Sequence, residues 1–406
     1  MQGESTRSWW RTEEIVEPGA WCARSHAVPH RSASLKTHVP CMTDFPFDRC
    51  AVLGTGLIGG SLAGALRQHA PGCTVVGFDR PHVLERAEER SLIDEKAASM
   101  GAAVDGADLV ILAFPPAKIA SAMEPLAPHL NEGAVVTDVA SVKQAVVDQA
   151  QEVLPEHATF VGGHPMAGAE TAGVDAADPI LFENAAYVLT PTDDTLPEAV
   201  SNMQAVVEAV GATPVVLAPE AHDRIVARVS HLPQLLAVTL VQHAAESDDD
   251  ALALAAGGFR DLTRIAESPF DLWREIFVGN QGSILDALAD FTRRLQRVQR
   301  QVAMGDMDAL DDDFAAAQDA RARLPEEAAG LMRSVHDCTV RVPDEAGALH
   351  AISKPLAEAN VSVRNIELLR VRDGTGGTFR LSFRSREALH TAVDVLNAAG
   401  FDAQAA

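Results

Sequence analysis

From Cys50 onward the chain alternates short apolar runs with longer stretches of helical periodicity. The runs "CAVL", "TVVGFD", "ADLVILAFPP", "GAVVTDVAS" and "TFVGGHPM" read as five strands, separated by helical segments at lengths suited to βαβ units. This alternation predicts an α/β fold built on a doubly wound, mostly parallel sheet. From "EAHDRIVARVSHLPQLLAVTL" to about Leu324 apolar residues recur at helical spacing and no strand pattern appears, which predicts an all-helical domain. Beyond "LPEEAAGLMRS" the pattern changes again. "HDCTVRV", "GALHAISKPLAEAN", "VSVRNIELLRVRDG", "GTFRLSF" and "REALHTAVDVLNAAG" read strand, helix, strand, strand, helix, with a last short strand at "FDAQ", a ferredoxin-like order.

These transitions divide the 406 residues into five segments. Residues 1–46 lack periodicity and the apolar block of a signal peptide, so they are expected to be a disordered tail, with Met42 as a candidate initiator. Residues 47–218 form the sheet domain, 219–324 the helical domain, 325–333 a linker and 334–406 the C-terminal α+β domain.

Composition narrows the partners. With 57 acidic against 33 basic residues the formal net charge is −24, which argues against nucleic acid and favours small molecules. The five cysteines, Cys22, Cys41, Cys50, Cys73 and Cys338, are scattered and form no C-x-x-C pair. That pattern supports neither a disulfide framework nor a zinc site, and a reducing cytoplasm is expected. The longest apolar stretch, "IVARVSHLPQLLAVTLVQ", is interrupted by Arg228, His231, Pro233 and Gln234, so it is read as a buried or amphipathic helix and not as a membrane span.

The first strand runs directly into Gly54, Gly56 and Gly59, in G-x-G-x-x-G spacing, and then into a helix. That context lets the backbone turn tightly and approach a pyrophosphate. The free N–H groups around Leu57, Ile58 and Gly59 then face the anion at a helix N-terminus. Asp79 ends the second strand twenty residues after Gly59, placed to accept hydrogen bonds from a ribose and to repel the extra phosphate of NADP. Arg80 beside it could stack on adenine or receive that phosphate, but the carboxylate favours NAD. In such a sheet ligands lie beyond the carboxyl ends of the strands, where Ser141, Lys143 and His164 fall. His164 sits between glycines and a proline in "GGHPMAG", and a proton-handling role competes there with simple capping of a helix. Arg260 and Arg264 share a helix face; a guanidinium from that face suits a carboxylate-bearing substrate, and Arg264 lies in the more apolar surroundings.

"GTGLIGGSLAGAL", "DVASVKQ", "GGHPMAGAE", "HDRIVARVSHLP" and "GGFRDLTRIAESPFDLWREI", in this order, resemble the prephenate dehydrogenase family of tyrosine biosynthesis over roughly Phe47–Leu324. The resemblance implies a Rossmann-type sheet and a helical dimerisation domain. It further implies NAD-dependent oxidative decarboxylation of prephenate to 4-hydroxyphenylpyruvate in a homodimer. It places the catalytic histidine on His164, a second hydroxyl partner on Ser141 and the carboxylate-binding arginine on Arg264. Ser230, Gln234, His222, Glu170, Gly257 and Trp273 are expected in or near the substrate pocket, and no metal is implied. Many members read S-H-L-P-H, whereas this chain has Gln234 at the last position, which leaves arogenate open as the alternative substrate. "VPDEAGAL" and "VRNIELL" resemble the ACT domain, with Asp344, Gly347 and Asn365 matching its ligand loop and an aromatic amino acid as the implied effector. Another dehydrogenase built on a Rossmann sheet, or a non-catalytic sensor of NAD and an amino acid, are the competing readings.

Overall fold

The computed structural model describes residues 45–168, 171–247, 250–323, 336–343, 345–372 and 376–405. The expected tail up to residue 44, the 325–333 linker, Glu170 and Asp344 lie outside them.

Eight strands form the first sheet: β1 (Arg49–Leu53), β2 (Thr74–Phe78), β3 (Glu95–Lys96), β4 (Leu109–Leu112), β5 (Val135–Asp138), β6 (Thr159–Pro165), β7 (Ala186–Thr190) and β8 (Thr213–Val216). Their order is β3-β2-β1-β4-β5-β6-β7-β8, and every neighbouring pair is parallel except β6 with β7. The doubly wound sheet is therefore as expected, with three strands more than the apolar runs indicated. β3 has only two residues, both exposed, and β8 is an edge strand that is mostly exposed, so neither carries an apolar signature. β7 is apolar, but its reversed direction depends on pairing with β6 and has no local signal.

Helices cover both faces. In β1, Cys50 and Val52 point into one apolar cluster with Leu62, Leu66 and Met203, while Ala51 and Leu53 point into the other with Ile119 and Met123. Alternation along one strand thus feeds two cores, and both sets must be apolar. The register aligns Leu53 with Phe78 and with Leu112, and Leu112 with Asp138, so β1, β2, β4 and β5 end level. β6 runs on past that line: its partnership with β5 stops at Val161, while β7 supports Gly162 to Pro165. His164 is carried on this extension.

Helices replace strands after β8, as the periodicity predicts: Pro219–Val226, Leu232–Ser247, Gly257–Thr263, Phe270–Gly279, Gln281–Met304 and Met307–Arg321. Between the first two the chain widens into a π-helical turn at Ala227–His231. This turn accommodates Pro233, which lacks the N–H that a regular helix would use. The interruptions in the apolar stretch therefore do not break it. Pro219–Glu246 is continuous and, by length and composition alone, long and apolar enough to cross a membrane, contrary to the expectation. Part of it is held in this protein's interior, where Ala227 and Leu232 pack with Ile284 and Ala287. Val278, Leu254, Leu262 and Leu285 remain exposed on the helical domain.

The C-terminal domain has strands β9 (His336–Val342), β10 (Val363–Arg372), β11 (Gly376–Phe383) and β12 (Asp402–Ala405), with helices Ala348–Glu358 and Arg386–Ala398. The antiparallel order β10-β11-β9-β12 matches the ferredoxin-like expectation, including the short last strand. Its core lies on one side only, where Cys338, Val340, Leu381 and Phe383 meet Ile352, Leu356 and Leu396.

Candidate active site

The glycine loop is shaped for close backbone approach. Gly54 has φ +99°, and a Cβ there would come within 2.4 Å of the Ala113 carbonyl oxygen. A Cβ on Gly59 would lie 1.9 Å from the Gly54 carbonyl oxygen, so this glycine lets the helix start against the turn. Gly56 faces open space and begins helix Leu57–His69, which has no side-chain cap. Its first N–H groups, at Leu57, Ile58 and Gly59, are therefore available to an anion. Among the described residues the buried Thr55 hydroxyl has no partner, and Asp79 accepts from the Thr55 N–H at 2.9 Å, anchored at the mouth of the loop. Arg80 is 75% exposed, with its Nε 3.8 Å from Asp79. An unpaired hydroxyl, open helical N–H groups and a carboxylate at the end of β2 fit a dinucleotide.

Beyond the ends of β5 and β6 the polar groups are buried and densely connected. The Lys143 ammonium, wholly buried, contacts the Asp138 carboxylate and donates to the Gly163 carbonyl at 2.7 Å. Asp138 also accepts from the N–H groups of Gly163 and Ala140. Lys143 and Asp138 thus tie the β5 loop to the residue before His164. Burial lowers the Lys143 pKa, opposed by its carboxylate neighbours Asp138 and Asp223.

His164 is 8% exposed. Its Nδ1 lies 2.8 Å from His222 Nε2, and His222 Nδ1 lies 2.8 Å from Asp223 Oδ1. Asp223 also accepts from the backbone N–H groups of Lys143 and Gln144, at 2.8 and 2.9 Å. Burial, and then the neighbouring His222, Lys143 and His231, push the His164 pKa well below the usual imidazole value. Desolvation and these neighbours disfavour the imidazolium, so the ring is neutral at physiological pH and ready to accept a proton.

The helical domain carries buried polar groups of its own. Gln234 is 3% exposed and donates from Nε2 to the Ile265 carbonyl at 3.0 Å, next to Arg264, while its buried Oε1 has no partner among the described residues. Trp273 packs edge-on against His231, and its buried Nε1 likewise has no partner among the described residues. Burial lowers the His231 pKa to about 4. Arg264 ends helix Gly257–Thr263 and, like Arg260, is exposed, so their surroundings do not separate the two as expected. Gly257 is exposed at the start of that helix. Ser141, in the β5 loop, and Ser230, in the π-helical turn, are both partly exposed. In the C-terminal domain Gly347, at φ +91°, caps helix Ala348–Glu358, and Asn365 is exposed on β10.

The contacts therefore join His164 to His222, and Gln234 to the Arg264 turn. They also show His222 as the partner of His164, where a substrate contact was expected. Asp223, Asp138 and Asn280 were missed. Neighbours such as His222 and Asp223 point to different helix faces in a sequence reading, which offered no reason to join them. Among the described residues no group of acidic, histidine or cysteine side chains could hold a metal ion. Cys50, Cys73 and Cys338 are free and buried.

Fold and site define a dehydrogenase scaffold of the dinucleotide-binding class, joined to a helical domain and a small α+β module. Family models for the prephenate dehydrogenase nucleotide-binding domain, the prephenate dehydrogenase dimerization domain and the ACT domain match residues 62–216, 218–316 and 336–401. The chain is 37% identical to the prephenate dehydrogenase of Bacillus subtilis over 83% of its own length and 92% of that protein. Among solved structures it is similar to Synechocystis arogenate dehydrogenase, with TM-score 0.63, 35% identity and coverage of 68% of this chain and 100% of that one. It is also similar to Aquifex aeolicus prephenate dehydrogenase in complex with hydroxyphenyl propionate and NAD+, with TM-score 0.64, 30% identity and coverage of 68% and 98%. The chain belongs to the prephenate dehydrogenase family.

Proposed function

We propose that this protein oxidatively decarboxylates prephenate to 4-hydroxyphenylpyruvate with NAD+ as hydride acceptor, in tyrosine biosynthesis in the cytoplasm. The observation that carries this reading is His164: a buried, neutral imidazole beyond the level ends of the dinucleotide sheet, whose Nε2 has no hydrogen-bond partner among the described residues. The open N–H groups of Leu57, Ile58 and Gly59 hold the pyrophosphate and Asp79 the adenosine ribose, with Arg80 outside the carboxylate. When bound, NAD+ supplies the acceptor for the hydride leaving the ring carbon that bears the hydroxyl.

His164 takes the hydroxyl hydrogen bond, and then its proton, as that C–H pair departs. The bond to the ring carboxylate breaks, releasing carbon dioxide, and its electron pair completes the aromatic ring. The proton returns from His164 to the phenolate oxygen, so the reaction consumes no net proton. Ser141 is the second partner of the hydroxyl. Arg264 binds a substrate carboxylate, with Ser230, Gln234, His222, Glu170, Gly257 and Trp273 in or near the pocket. The alternative substrate is arogenate, a reading favoured by the buried Oε1 of Gln234, which has no partner among the described residues and which an ammonium could satisfy.

The exposed apolar side chains of the helical domain suit a homodimer interface. An aromatic amino acid regulates the enzyme through the C-terminal domain, at Gly347, Asn365 and Asp344. Unchanged activity together with no binding at millimolar tyrosine, phenylalanine or tryptophan overturns that last point. The main reading is tested by nicotinamide reduction with NAD or NADP and prephenate or arogenate in four separate assays. Activity is expected with NAD and prephenate; silence in all four from folded protein overturns the reading.

A further inference from the structure

The hydrogen bonds around His164 have a direction that the residue pattern does not reveal. The Asp223 carboxylate is surrounded by donors: the Lys143 N–H and His222 Nδ1 reach Oδ1, and the Gln144 N–H reaches Oδ2. A carboxylate only accepts, so His222 carries its proton on Nδ1. A neutral His222 then has a bare Nε2, and the hydrogen bond of 2.8 Å to His164 must be donated from His164 Nδ1. A neutral His164 with its proton on Nδ1 has its lone pair on Nε2. The inverse arrangement needs two protons on His222 and puts the single N–H of His164 on Nε2, where no acceptor exists among the described residues. It would also turn the catalytic atom from an acceptor into a donor.

We propose that Asp223, acting through His222, is a positioning residue that sets the ring tautomer of His164 and so leaves Nε2 as the proton-accepting atom. Asp223 has no assigned role in the site as read from the motifs. It also supports the imidazolium that forms transiently: as His164 gains a proton at Nε2, its Nδ1–H bond to His222 strengthens, and the buried carboxylate lies on the far side of that ring. The charged and titratable groups around His164 are Lys143 and Asp138 from the β5 end, His222 and Asp223 from helix Pro219–Val226, and His231 from the π-helical turn. Three of these, His222, Lys143 and His231, disfavour a positive charge on His164, and the Asp223 carboxylate behind His222 is the group of opposite sign on that side. Asn280 donates to the Asp223 backbone carbonyl at 2.7 Å and holds this turn of helix in place.

The proposal rests on His164 being the proton acceptor, but its first test needs no turnover. Long-range proton–nitrogen NMR on the full-length wild-type protein, labelled with nitrogen-15 histidine and assigned with His164→Asn, reads each ring's tautomer. Protonated Nδ1 and bare Nε2 at both His164 and His222 are expected; a proton on His164 Nε2 overturns the proposal. This readout stands even if neither prephenate nor arogenate is a substrate, so failure of the function and failure of the relay are separable. The second test is Asp223→Asn, expected to lower kcat about 10- to 100-fold, within the range of general-base effects, with KM for both substrates nearly unchanged. The acidic limb of the kcat profile should move to lower pH because the imidazolium has lost its counterion. Partial recovery by Asp223→Glu is expected. Wild-type kcat and an unchanged His164 tautomer in Asp223→Asn overturn the proposal, and if that variant does not fold the wild-type spectrum decides.

Discussion

The two sheets of this protein are built to opposite plans. The eight-stranded sheet is covered on both faces, and its strands are apolar on both sides, so the open places for a ligand are at the strand ends. The four-stranded sheet is covered on one face only, and on the other Thr339, Arg341, Thr378, Asp402 and Gln404 line an open depression. The first sheet gathers charge at a buried point, where Lys143 pairs with Asp138, Asp223 accepts from the Lys143 N–H, and His222 links Asp223 to the neutral His164. The second spreads it over exposed pairs such as Arg380 with Glu367. A two-sided sheet can desolvate a reacting group; a one-sided sheet offers a face and edges to another molecule.

The largest effect that would sharpen this contrast is on chemistry. His164→Asn is expected to lower kcat by about two to four orders of magnitude, the range for a lost general base. Binding of an amino-acid effector to the C-terminal domain should survive, as calorimetry would show. Wild-type turnover would break the assignment of the buried point as the catalytic one.

Next in size is stability. Lys143→Met strands the Asp138 carboxylate inside the sheet domain and is expected to cost about 3–5 kcal/mol in denaturant unfolding. Arg380→Ala removes an exposed pair on the other sheet and is expected to cost under about 1 kcal/mol. Equal losses would mean that the two sheets treat charge alike. Arg264→Ala is expected to act on binding, raising KM for the substrate about 10-fold or more with a smaller change in kcat, in line with loss of a charged hydrogen bond.

The smallest effect is on pH dependence. His231 has its pKa lowered by burial to about 4, and His164 is lowered in the same direction. Below about 6.5 the unfolded histidines bind protons that the folded ones refuse, so their contribution to stability is present above that pH and is lost as pH falls toward 4. Tm measured from pH 7 to pH 4.5 should fall, and His231→Gln should flatten part of the slope. A slope unchanged in that variant would remove His231 from the account.

Much of this architecture is legible in residue order because it depends on neighbours. The glycine triplet is read from three positions within six residues, and the Gly59 requirement arises from a turn that Gly54 itself closes. Apolar runs disclose β1, β4 and β5 because burial on both faces demands them. The helical domain and the strand order of the C-terminal domain follow from periodicity in the same way. β3 and β8 escape this reading because exposed edge strands need no apolar residues.

The sequence by itself determined which side chains were candidates: His164 at the end of a strand, Asp79 after β2, and Arg264 and Gln234 among the helices. Only the tertiary structure decided what each one touches. His164 meets His222 across 58 positions, and the Lys143 N–H meets Asp223 across 80. Such pairs are made by packing helix Pro219–Val226 against the open ends of β5 and β6, and no period along the chain encodes them. The direction of a hydrogen bond, and with it the atom of His164 that accepts a proton, follows from what surrounds a buried carboxylate. That surrounding exists only once the fold has closed.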